Sequence, residues 1–78
     1  VGPTRLNELN ARVDLRRFER HLGPNLQVQG RAFVWRTDPA TKAGWAMDVD
    51  AVYPNGRRVR FRLVFEPFDG HLVSVNRF

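Results

Sequence analysis

Apolar and polar positions alternate most regularly between Trp45 and Phe65, on either side of Tyr53-Pro54-Asn55-Gly56-Arg57. Proline presets φ for the second position of a type I turn, Asn suits the third, and Gly takes the left-handed position that closes it. The result is a three-residue hairpin loop with a G1 bulge, which sets Tyr53 opposite Arg57. Counting back in steps of two pairs Ala51 with Val59, Val49 with Phe61, Met47 with Leu63 and Trp45 with Phe65, all apolar. The other face pairs Val52 with Arg58, Asp50 with Arg60, Asp48 with Arg62 and Ala46 with Val64. A two-residue Asn-Gly turn would slip the register by one and set Phe61 and Leu63 against aspartates, so the pattern rejects it. Strands are predicted at 45–53 and 57–66.

Pro67-Phe68-Asp69-Gly70-His71 has the same turn chemistry. Pairing Pro67 with His71 sets Phe65 against Val73 and Leu63 against Val75, and predicts a last strand at 71–77. Upstream, Leu26, Val28, Ala32 and Val34 alternate with Gln27, Gln29 and Arg31, which predicts a first strand at 26–36. Gly30 is its candidate bulge, and Phe33 and Trp35 break its alternation. Residues 38–44 read as the longest loop.

The first 22 residues carry a helical period but two apolar stripes. Leu6, Leu9 and Val13 form one, and Leu15, Phe18 and Leu22 form another nearly opposite it. A break near Asp14 resolves this, with Asp14 as N-cap and Val13 and Phe18 as a hydrophobic staple. Two short helices are therefore predicted, about 4–12 and 15–22, the first capped by Thr4 and the second stopped at Leu22-Gly23-Pro24. One continuous helix with both faces covered is the alternative. The fold class is α+β: N-terminal helices packed on a four-stranded antiparallel meander, in one domain spanning 1–78. The helices are expected to cover Trp45, Met47, Val49, Phe61, Leu63, Phe65, Val73 and Val75, and the opposite, partly charged face to meet water or a partner.

The chain has no cysteine, which excludes disulfides and thiolate metal sites. No apolar run approaches the length of a membrane span. Val1 reads as a trimmed start, ahead of which a leader or anchor could have been removed. The net charge is +5, and Lys42 is the only lysine among 13 basic residues. Guanidinium groups suit phosphate and carboxylate recognition, although these are spread along the chain rather than clustered.

Candidate chemistry is sparse. Ser74 is the only serine, and His21 and His71 lie far apart in sequence. Asp48 and Asp50 share a strand face, but Arg62 and Arg60 sit opposite and neutralise them, and two carboxylates fall short of a metal's ligand set. No glycine-rich phosphate loop is present, and no catalytic, cofactor-binding or metal-binding residue is assigned. Arg58, Arg60 and Arg62 form a basic stripe that could bind single-stranded nucleic acid, but the hairpin's aromatics fall on the other face. Phe33 and Trp35 are candidate partner contacts, because rigid aromatics dominate interface energetics. The edge strands could recruit another protein or a second copy of the chain.

From the second helix onward the chain resembles the SmpA/OmlA family of small outer-membrane lipoproteins. The resemblance lies in Asp14-xxx-Phe18-xxx-Leu22-Gly23-Pro24, then Phe33-Val34-Trp35, the strand Val59 to Phe65, and Asp69-Gly70-His71-Leu72-Val73. The proline falls one residue early, and there is one strand more than in that family. The resemblance implies a periplasmic, non-enzymatic domain at the inner face of the outer membrane that supports assembly through protein contacts. Cystatin-like and PepSY-type domains share the layout, and the former would imply protease inhibition.

Overall fold

The computed structural model describes residues 4–30, 34–38 and 42–78. One helix, α1 (Arg5–Leu22), precedes β1 (Gln27–Gly30), β2 (Val34–Asp38), β3 (Lys42–Val52), β4 (Arg58–Phe65) and β5 (Leu72–Arg77). The fold is α+β, a helix on an antiparallel meander of four rows. β1 and β2 lie one after the other along one side of β3, while β4 and β5 follow on its other side.

The predicted hairpin register is observed at every pair from Trp45↔Phe65 to Val52↔Arg58. The turn closes as its residues require: Tyr53 N–H donates to Arg57 O at 2.8 Å, and Gly56 has φ +85°. Of the predicted first strand, residues 27–30 form β1 and residues 34–36 begin β2, while residues 31–33, Ala32 and Phe33 among them, lie outside the described residues. Gly30 pairs with Val49 and Val34 with Ala46, so the register of β2 on β3 is offset by one residue from that of β1. The expected loop at 38–44 is shorter, because β2 runs to Asp38 and β3 begins at Lys42.

The second turn is one residue longer than predicted. Glu66, not Pro67, pairs with His71: Glu66 N–H donates to His71 O at 2.8 Å, and Gly70 N–H returns to Glu66 O at 3.1 Å. Phe65 consequently faces Leu72, and a bulge at Val73 restores the predicted Leu63↔Val75 pair. Leu72 therefore packs on the core in place of Val73, which is exposed. The Glu66 carboxylate organises this turn by accepting from the N–H groups of Phe68, Asp69 and Gly70.

α1 is one continuous helix, as in the alternative reading, in place of the two short helices. Its start is as expected: Thr4 and Asn7 exchange side-chain and backbone hydrogen bonds of 2.9 and 3.2 Å in a capping box. Asp14 does not cap a second helix. Its side chain turns to β5 and accepts from Leu72 N–H at 2.8 Å. With the helix unbroken, only one of its two apolar stripes can meet the sheet. Ala11 joins Trp45, Val49, Leu63 and Phe65 in the core, with Leu15, Phe18, Val28, Met47, Phe61 and Leu72 packed around them. Phe18 meets Phe61 edge to face at 5.2 Å. Val49, Leu63 and Phe65 are wholly buried, and each such side chain contributes roughly 1.5–3 kcal/mol.

Candidate functional site

The outer face of the hairpin carries the basic stripe, and its charge is spoken for. Arg60 grips Asp50 through Nε and Nη2 at 2.8 and 3.3 Å, and Arg62 grips Asp48 the same way at 2.9 and 3.2 Å. Arg58 approaches Asp50 at 3.7 Å. The Asp50 hydrogen bond comes first among the effects that raise the Arg60 pKa. The Arg62 guanidinium also lies over the Phe78 ring at 4.7 Å. This face is not uniformly open to water, since Ala46, Asp50 and Val64 are buried on it. Fork-shaped guanidiniums directly across from aspartates form stable pairs, so the stripe is a laced surface rather than a row of free cations.

Of the aromatic candidates, Phe33 lies outside the described residues. Trp35 lies in β2, with its backbone paired to Trp45.

Two surfaces that sequence reasoning did not single out are formed by α1. The first is its outward side. Leu6, Leu9 and Val13 keep 58%, 54% and 46% of their surface in water. Arg16 and Arg20 continue the same stripe towards the helix C-terminus, and Arg5 and Arg12 flank Leu9 at i−4 and i+3, all exposed. No carboxylate of α1 falls on that stripe. Its sequence signal is the stripe Leu6-Leu9-Val13, which on an unbroken helix lies nearly opposite Leu15 and Phe18.

The second surface is a groove of about 460 Å³ between α1 and β5. Phe18, Leu72 and Val75 supply its apolar lining, and Arg17, His21 and His71 its basic rim. Asp14 ties the two walls together. It accepts from Leu72 N–H at 2.8 Å and meets His71 Nδ1 at 2.9 Å through the same oxygen, Oδ2. Burial pushes the Asp14 carboxyl up, but the Leu72 N–H and His71 outweigh it and hold it below its ordinary value. The hydrogen bond to Asp14 raises His71 in turn, with help from Asp69 and Glu66. His71 is exposed beside the second turn, and its ring is tied to the helix through Asp14. It shares a groove with His21, 50 positions away in sequence.

Among the described residues, no cluster of three or more His, Cys, Asp or Glu side chains could hold a metal ion. No described helix is long and apolar enough to cross a membrane. A comparison with models of protein families, with curated proteins and with solved structures returned no match.

Proposed function

We propose that this chain is a non-enzymatic protein-interaction module of the bacterial cell envelope, with an assembly or accessory role, and that it docks through the outward side of α1. The observation that carries this reading is the stripe Leu6-Leu9-Val13, which stays half in water on a helix already anchored by its other face. Three aliphatic side chains at i, i+3 and i+7 are the anchors of a helix laid into an apolar groove. The flanking Arg5, Arg12, Arg16 and Arg20 favour a partner whose groove is rimmed by carboxylates. A second copy of the chain would set arginines against arginines. The envelope location is supported by the resemblance of Asp14-xxx-Phe18-xxx-Leu22-Gly23-Pro24 to the SmpA/OmlA signature.

A photoreactive phenylalanine analogue in place of Leu9, in the full gene product in its native cell, tests the reading. The expected result is one discrete cross-linked envelope protein, lost when Leu6 and Val13 are replaced by Glu in a chain that melts as wild type does. Cross-linking only to itself, or an unchanged cross-link in that variant, would overturn it.

A further inference from the structure

β5 is the last strand of the sheet, and among the described residues no strand pairs with its far side. Its ladder with β4 fixes which backbone groups are free. Phe78 N–H donates to Arg60 O at 3.0 Å, so Phe78, Asn76 and Ser74 turn their amides and carbonyls inward. Val75 and Arg77, at the alternate positions, direct theirs away from the sheet. Both lie on the α1 side, because Val75 pairs with Leu63 and Arg77 with Phe61.

α1 runs alongside this edge. Asp14 bonds to the start of β5 at Leu72, and His21 shares the groove with Val75. Seven residues of helix cover about 10 Å at 1.5 Å each. Three residues of strand also cover about 10 Å. The groove therefore follows the free edge rather than crossing it. Val75, 45% exposed, stands between the lining and open water.

We infer that the edge of β5 together with this groove is a binding site for an extended acidic segment of another protein, added as a further strand beside Val75 and Arg77. Main-chain hydrogen bonds hold such a strand, and every second side chain enters the groove between strand and helix. Phe18, Leu72 and Val75 accept an apolar side chain there. Arg17, His21 and His71 rim it and Arg77 lies two residues further along β5 on the same face, while the carboxylate of the groove, Asp14, is held by Leu72 N–H, His71 and, at 4.0 Å, Arg17. Charge complementarity thus selects an acidic segment. Pairing β5 with β5 of a second copy would bring these basic groups together.

This site is distinct from the outward side of α1, so the two stand or fall separately. The probes are three labelled synthetic peptides: alternating Val and Glu, alternating Val and Lys, and the Val/Glu peptide with a central proline. Fluorescence anisotropy should show the Val/Glu peptide binding tightest, with the lysine and proline versions weaker by about tenfold or more. Binding should weaken as salt rises. Amide resonances of Val75 and Arg77 should shift and exchange more slowly with solvent in the complex. Arg17→Gln should reduce affinity with little change in melting temperature, since the Arg17 side chain is 70% exposed and its contact with Asp14 is long, at 4.0 Å. Equal binding of all three peptides would overturn the inference. So would absence of binding at millimolar peptide, or shifts confined to Arg58–Arg62 or to Leu6–Val13.

Discussion

Replacing Gly70 by alanine should cost far more than replacing Gly56, although both turns place their glycine at nearly the same φ, +83° and +85°. An alanine forced into the left-handed region costs about 1 kcal/mol in either turn. At Gly56 that is the whole effect, because nothing lies within 4 Å of the added Cβ. At Gly70 the Cβ would fall 2.5 Å from Asn7 Cα and 2.7 Å from its carbonyl carbon, closer still to its oxygen, all helix backbone. Carbon atoms settle at about 3.5 Å or more, so the turn must retreat from α1 by roughly 1 Å. That retreat breaks the bonds from Asn7 Nδ2 to Phe68 O (3.1 Å) and from Asn10 Nδ2 to Asp69 O (2.6 Å). Each contributes about 1 kcal/mol, and Asn7, only 4% exposed, would be left with an unpaired amide. Gly70→Ala should therefore cost roughly 3 kcal/mol against roughly 1 for Gly56→Ala. In a domain of this size that corresponds to melting points lower by roughly 15 °C and roughly 5 °C. Circular-dichroism melts with parallel urea titrations would measure both. Equal losses in the two variants would mean that the second turn is not seated on the helix.

The remaining predictions concern charges and the exposed stripe. A double-mutant cycle on Asp48 and Arg62 should return a coupling of about 1 kcal/mol that shrinks with salt; zero coupling at low salt would deny that the pair is held as described. Asp14, with its pKa lowered, adds stability that is present above its unfolded value of 3.8 and is lost as pH falls through the folded value. His71, with its pKa raised, adds stability that is present below 6.5 and is lost as pH rises through the folded value. The stability difference between wild type and His71→Ala should consequently be largest between 3.8 and 6.5 and should fade in alkaline urea titrations; a flat difference would break the dyad. Leu9→Gln should leave the urea midpoint nearly unchanged, because a side chain already 54% exposed loses little on becoming polar. A loss like that of a core leucine, about 2 kcal/mol or more, would show that the stripe is covered within the chain.

Much of the sheet was legible in the sequence because its determinants are local. The Pro-Asn-Gly turn and a period of two decide the register of β3 on β4, and the same rule set both Asp–Arg pairs. The register of the first strand on β3 changes by one residue between Gly30 and Val34, and the glycine is the local signal for an irregularity there. The second turn is one residue longer than its local pattern implies. Its closure depends on the Glu66 carboxylate folding back onto three amides and on the fit of Gly70 against Asn7, neither of which is written in the turn residues. A break at Asp14 is needed only if both apolar stripes of the helix must be covered. The sheet offers only one face to α1, and Asp14 finds its donors 57 and 58 positions away. The groove between α1 and β5 likewise exists only after folding. A side chain's local pattern determines which strand or helix it belongs to, whereas its partners across the chain depend on how those elements pack, and packing brings Asp14, His21 and His71 together from opposite ends of the sequence.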